Sequence, residues 1–269
     1  MKCSNISSTE EGDHMISIEP LMDDGLNACS HFLVISVMNH WKLDHELMYA
    51  QAWGFEFAPP GTKGHGIWNR GDLGPRLYYR NEDRIFLNLY LFHGVQVYQS
   101  GCESIDQLYK LLEAQLEQDL PVIVFIDTYY LPWMEGFYQK IHSIHSVLVT
   151  GMALDKGLYC NDTPPFFQPP VKNQLLGYDQ VKEAFREQVY IFRKGKAPKR
   201  TEEAIAVFQK KAEDLLEKNR GKNTFEKMRE FADCLQEHPI SSSDMEEFGG
   251  GSGILLRAFR NIIRDRINF

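Results

Sequence analysis

The run His145-Ser146-Val147-Leu148-Val149-Thr150-Gly151 and the run Gly157-Leu158-Tyr159-Cys160-Asn161-Asp162 decide the fold class. Both are apolar and rich in strand formers, and the turn residues Asp155-Lys156-Gly157 at their junction predict an antiparallel hairpin. Upstream, Pro121-Val122-Ile123-Val124-Phe125-Ile126-Asp127 is nearly continuous in apolar side chains, the pattern of a central strand covered on both faces. Downstream, Tyr178 to Glu187 reads as a short helix and Val189-Tyr190-Ile191-Phe192 as a further strand.

The segments before this sheet read mostly as helices. Ser104-Ile105-Asp106-Gln107 has capping-box form and opens an amphipathic helix carrying Leu108, Leu111, Leu112 and Leu116. Asn81 to His93 places Ile85, Phe86, Leu89 and Phe92 on one side, with Gly94 as its stop and Gln96 to Tyr98 as a short strand beyond. Asn27 is an N-cap for a stretch that runs to Trp41 without Gly or Pro and is apolar on every side, as a helix buried in a core would be. The β-branched content of residues 32–38 also fits a strand, and periodicity does not separate the two. Residues 53–76, rich in Gly, Pro and aromatics, read as an irregular covering segment.

Three parts follow along the chain: a polar N-terminal arm (1–14), a core domain (15–192) and a helical C-terminal region (193–269). The boundary is the basic run Arg193-Lys194-Gly195-Lys196-Ala197-Pro198-Lys199-Arg200. Two charged amphipathic helices, about 201–220 and 222–237, come next, then Gly249-Gly250-Gly251-Ser252-Gly253 and a last helix. The expected class is α+β, an antiparallel sheet with helices.

Composition removes several function classes. The chain has 269 residues, 43% hydrophobic, 12% aromatic and 25% charged, an ordinary globular balance. A net charge of -8 leaves out the phosphate-neutralising surface that nucleic-acid binding needs, so no nucleic-acid partner is expected. No apolar run reaches the ~18–20 residues that span a bilayer, and the first residues lack a signal-peptide pattern, so no membrane partner is expected and the location reads as cytoplasmic. The five cysteines are scattered without a CxxC pair, which argues for free thiols over a disulfide framework or a zinc site. His142-x-x-His145 lacks a third ligand, and in an extended segment that spacing sends the two rings to opposite faces, so no metal is expected.

One constellation carries chemistry. Cys29 lies in the first turn of the buried helix, where exposed amide N–H groups and the helix dipole favour a thiolate. His145 begins one arm of the hairpin and Asp162 ends the other, so the antiparallel return brings them together. The carboxylate then holds the imidazole in one tautomer while its other nitrogen meets the thiol. Cysteine at a helix start, histidine on a strand and a carboxylate on the next strand is the papain-like layout. The ordinary alternatives stand beside it: a small buried cysteine, a structural histidine and a turn at Asn161-Asp162-Thr163-Pro164.

These segments resemble the butirosin biosynthesis protein H family, a papain-like branch found with antibiotic gene clusters. The pieces that carry the resemblance are Gly25-Leu26-Asn27-Ala28-Cys29, Ile126-Asp127-Thr128-Tyr129-Tyr130-Leu131-Pro132-Trp133, the His142-x-x-His145 pair running into its strand, and Tyr159-Cys160-Asn161-Asp162-Thr163-Pro164. The resemblance covers about residues 15–192 and implies a papain-like cysteine protease fold used for acyl transfer. An acyl group would pass from the thioester of an acyl or peptidyl carrier protein, through the cysteine, to a small amine acceptor, forming an amide. It implies Cys29 as nucleophile, His145 as base and later acid, and Asp162 as orienter, with the role of His142 open. The only cofactor-like group implied is the phosphopantetheine arm of the carrier substrate.

The chain departs from papain-type enzymes at one position. They place a Gln six residues before the cysteine as oxyanion donor; this chain has Asp23, and an ionised carboxylate cannot donate. The Cys29 backbone N–H, with Asn27 or a protonated Asp23, is the expected substitute. Papain-like enzymes carry an Asn as their third residue, so Asp162→Asn is expected to be milder than His145→Ala. A peptidase or amidohydrolase with the same triad and a papain-fold binding protein with a dead site are the competing functions. The basic residues Arg193, Lys194, Lys196, Lys199 and Arg200 are either a docking surface for an acidic carrier or a solvated linker.

Overall fold

The computed structural model describes residues 15–23, 29–49, 56–57, 77–78, 82–153, 157–165, 168–198 and 224–237, with isolated helical positions at 203, 206, 209, 210 and 213. Helix α1 spans Cys29–His40 and is followed by a 3-10 turn at His45–Tyr49. Two short strands, β1 (Glu56–Phe57) and β2 (Leu77–Tyr78), pair with each other. Then come α2 (Glu82–His93), β3 (Val95–Gly101), α3 (Ile105–Leu116) and β4 (Val122–Asp127). The second half runs β5 (Ile144–Ala153), β6 (Gly157–Asp162), β7 (Val171–Gly177), α4 (Tyr178–Ala184), β8 (Phe185–Lys194) and α5 (Thr224–Glu237).

Six strands form one antiparallel sheet in the order β3-β8-β4-β5-β6-β7. The class is therefore α+β. β4 and β5 sit at its centre, and their side chains are almost all buried, as the continuous apolar run of β4 requires. The hairpin pairing is present, with Leu148 opposite Asn161 and Ala153 opposite Gly157; of its turn, only Gly157 is among the described residues. α3 begins where its cap places it, Ser104 accepting from the Gln107 N–H at 3.3 Å. α2 stops at Gly94, which has φ +68; a Cβ there would meet the Gly195 carbonyl at 2.5 Å, so only glycine fits.

α1 settles the ambiguity of residues 32–38 as helix. His31 to Met38 are all buried, because β5 and the 3-10 turn pack around it. At about 1.5 Å per residue it is ~18 Å long. It ends where Trp41 packs edge-on against Phe192 at the far end of β8. Residues 15–23, just before it, are fastened to the hairpin: Ile16 N–H donates to the Thr150 carbonyl (2.7 Å), Asn161 Nδ2 to the Ile18 carbonyl (2.8 Å) and Thr163 Oγ1 to the Leu21 carbonyl (2.9 Å). Those bonds bring the start of α1 toward the end of the hairpin.

Three expectations are corrected. Residues 171–177 form strand β7, which extends the sheet at its edge where no strand was expected; its alternation is too polar to stand out. The helix expected to Glu187 ends at Ala184, and the strand expected from Val189 already starts at Phe185, since pairing with β3 and β4 outweighs local helix propensity there. The short strand at Gln96–Tyr98 runs from Val95 to Gly101 along the edge of β8. In the C-terminal region α5 is a helix close to its expected bounds and packs on β1. The first expected helix is represented only by the isolated positions, and the last lies outside the described residues.

Candidate active site

β4 and β5 pair Ile126 with His145 and Asp127 with Ile144, so the end of this pair carries both motif histidines and the Asp127 carboxylate. The segment 128–143 between the two strands is packed rather than loose. Leu131 and Met134 are fully buried, Thr128 N–H donates to the Ser143 carbonyl at 2.9 Å, and Thr128 Oγ1 to the Ile141 carbonyl at 3.0 Å. It holds Trp133 over the hairpin.

His145 Nε2 and Asp162 Oδ1 are 2.7 Å apart, and both residues are buried. The carboxylate accepts, so Nε2 carries the proton and Nδ1 is the nitrogen left for another partner. Trp133 Nε1–H donates to the other oxygen, Asp162 Oδ2, at 2.7 Å. Both oxygens of a carboxylate with no exposed surface are thus satisfied, which offsets the cost of burying it.

Cys29 is the first residue of α1 and is half-buried. Burial alone would raise its thiol; the charge of His145 and hydrogen bonding from His145 and Ser146 outweigh that and lower it, with Asp162 opposing. Burial would likewise lower His145, but Asp162 and Cys29 overcome it and hold the imidazole well above its ordinary value. The two groups stabilise each other as thiolate and imidazolium. Ser146 is wholly buried, and its Oγ completes no full hydrogen bond among the described residues, yet it stands close enough to the sulfur to favour the thiolate.

The other candidates fall out as follows. Asp23 is buried, 4% exposed, and has a partner; Asn27 lies outside the described residues. His142 does not join the thiol. Its Nδ1 bonds Asp127 Oδ2 at 2.9 Å, and its ring stacks on Tyr129, centroids 4.2 Å apart and 9° from parallel. Arg186 also binds Asp127 Oδ2, and the Tyr129 and Ser143 backbone N–H groups donate to Oδ1 at 3.0 and 3.3 Å. Burial pushes the Asp127 carboxyl up, but the Tyr129 N–H, His142 and Arg186 together hold it down at about 2.

Of the rival thiols, Cys160 has no exposed surface, and burial, with Asp162 adding to it, pushes its thiol far up. Cys102 and Cys234 are buried too, and Cys3 lies outside the described residues. Among the described residues no group of three or more His, Cys, Asp or Glu side chains is placed to hold a metal ion, and no helix is long and apolar enough to cross a membrane. Sequence reasoning missed Trp133, Ser146 and Arg186. Trp133 had a signal, since it ends the motif stretch 126–133; the other two had none.

Comparison with known proteins adds the following. A solved structure described as a putative C39-like peptidase from Bacillus anthracis is 15% identical over 44% of this chain, with a TM-score of 0.23. The overlap spans 62% of that peptidase chain, and a likeness at this score does not define the fold. No curated protein matches significantly. A family model does: the match starts nine residues after Cys29 (38 minus 29) and so leaves the cysteine outside, but includes His142, His145 and Asp162. Residues 38–162 match the family of butirosin biosynthesis protein H, N-terminal.

Proposed function

We propose that the chain is a cysteine-dependent acyltransferase of papain-like design, with Cys29 as nucleophile, His145 as proton carrier and Asp162 as orienter. The observation that carries this reading is the buried His145–Asp162 pair with its free Nδ1 turned to a thiol whose ionisation is favoured. A histidine that served only the core would have no reason to hold a thiolate.

The steps follow from those atoms. The Cys29 thiolate attacks the carbonyl carbon of a carrier-protein thioester. The C–S bond to Cys29 forms, the bond to the carrier sulfur breaks, and the departing thiolate takes the proton from His145 Nδ1. An amine then attacks the acyl-enzyme while His145 Nδ1 accepts its proton. The amide leaves, and the Cys29 thiolate is restored beside the imidazolium. The first exchange trades one thioester for another and is nearly balanced; aminolysis is downhill. The likeness to the butirosin biosynthesis protein H family supports an acyl donor on a carrier and a role in antibiotic or peptide-like biosynthesis. The Cys29 backbone N–H serves as one oxyanion donor, with Asn27 as the candidate for the second.

Incubation with a carrier-bound acyl thioester, with and without an amine, tests the reading by intact-protein mass spectrometry. An acyl adduct on Cys29, absent in Cys29→Ala, and an amide formed only with the amine are expected. Free acid in equal yield with and without the amine would make the protein a hydrolase with the same triad. An adduct that maps to Cys160 would overturn the site.

A further inference from the structure

Trp133 is placed to decide which residue can stand at position 162. Indole offers one N–H and no acceptor, and here that N–H points at Asp162 Oδ2 from 2.7 Å. On the other side His145 Nε2 faces Oδ1 at the same distance. The carboxylate is therefore held between two nitrogen donors and must accept from both. Asp162 has no exposed surface, so no water can replace either contact.

We propose that Trp133 is a positioning residue that makes a carboxylate obligatory at 162 and thereby fixes the His145 tautomer, an inference that deepens the reading of Cys29 and His145 as nucleophile and base. A carboxylate accepts on both sides. An amide accepts on one side only. With asparagine at 162, the indole N–H claims the amide oxygen, because an NH2 facing an N–H would leave two buried donors opposed. The amide NH2 then faces His145 Nε2 and requires it to be unprotonated. The ring proton moves to Nδ1, the nitrogen that should accept from the thiol and the amine. An orienting asparagine is thus workable only where no donor holds its oxygen, and the tolerance expected at this position from papain-like enzymes does not extend to this chain.

The test is a pair of substitutions that should rescue each other. Asp162→Asn alone should cost about 1,000-fold or more in acyl transfer, the scale of a wrong-tautomer defect. Trp133→Phe alone should cost less than about 10-fold, since Asp162 keeps its bond to His145. The double variant should recover about 10-fold or more over Asp162→Asn, because the amide can turn its oxygen to Nε2. A residue of merely structural importance would make the double variant worse than either single one.

Ring ¹⁵N shifts of His145, recorded where the imidazole is neutral, read the same switch without any assay: Nε2–H in the wild type, Nδ1–H in Asp162→Asn and Nε2–H again in the double variant. Where phenylalanine at 133 fails to fold, 3-benzothienyl-alanine keeps the indole shape without its N–H. A retained Nε2–H in Asp162→Asn, or no rescue in the double variant, would overturn the proposal. Loss of the Cys29 reading alone leaves the ¹⁵N result decisive.

Discussion

The two histidines of the His142-x-x-His145 pair each hold a carboxylate, yet the two pairs are built for different work. His145 and Asp162 are sealed in the core, and the imidazole spends its second nitrogen on a thiol. His142 leaves 62% of its side chain exposed, and its carboxylate is shared with Arg186 and two backbone N–H groups. The same residue types give a sealed pair beside a thiol in one place and a loop anchor in the other. What separates them is the number of competing partners. Asp127 is shared among His142, Arg186 and two backbone N–H groups, whereas Asp162 takes only the Trp133 indole besides His145.

The comparison breaks first at the thiol end. Cys29→Ala should lower acyl transfer by at least about 1,000-fold while leaving the fold intact, and His145→Ala should lower it as far in the folded protein. His142→Ala should lower it by less than about 10-fold. Single-turnover acylation with all three variants decides this, and the reverse ranking of the histidines would exchange the roles of the two pairs. The pH profile follows from the same pairing. Cys29 is depressed and His145 raised, so acylation should climb through the lowered thiol midpoint and fall only as the raised imidazole loses its proton. Ser146→Ala should move the acid limb upward by removing a hydroxyl that favours the thiolate. An unmoved limb would show that Ser146 does not touch the ionised sulfur.

The anchor end should break differently. Asp127 is depressed to about 2 by its partners, so its contribution to stability is complete above the ordinary carboxyl value near 4 and is lost as pH falls toward 2. Asp127→Asn should cost about 2 kcal/mol of stability at pH 7, with acylation of the folded variant changed far less. The difference from wild type should shrink as pH falls from 4 to 2. Denaturant melts across that range check it, and a constant difference would mean that the carboxylate is not paired as described.

Much of this was legible in residue order and little of it in residue environment. The hairpin could be read because its apolar runs and turn residues are local signals, and that alone brought His145 toward Asp162. The class of α1 could not, since a helix covered on every side loses the periodicity that identifies one. β7 was hidden by its polar side chains, as an edge strand packs on one neighbour and needs few apolar residues. The start of β8 was hidden because residues 185–187 read as helix until the sheet pairs with them. Trp133 lies 29 positions from Asp162, and no pattern in a single chain reports a hydrogen bond across that separation. The same holds for the bonds from Asn161 and Thr163 that bring residues 15–23 to the hairpin.

The smallest effect belongs to the basic run at the end of β8. Ile126 pairs with His145, whereas Ile191 pairs with Val122, so Arg193 lies about six residues along the sheet from the thiol end. At ~3.3 Å per residue that is about 20 Å. The length of α1 gives the same separation, since Cys29 starts it at one end and Trp41 follows it at the other. Arg193 and Lys194 are also engaged, lying 5.2 Å over the Tyr98 and Trp41 rings. Such contacts use part of each cation's attraction within the fold. Reversing both charges should therefore change KM for a carrier-bound donor by less than about twofold, and equally for a small free thioester. A large rise confined to the carrier-bound donor, sensitive to salt, would show instead that the carrier docks at this remote end and reaches the thiol along the sheet.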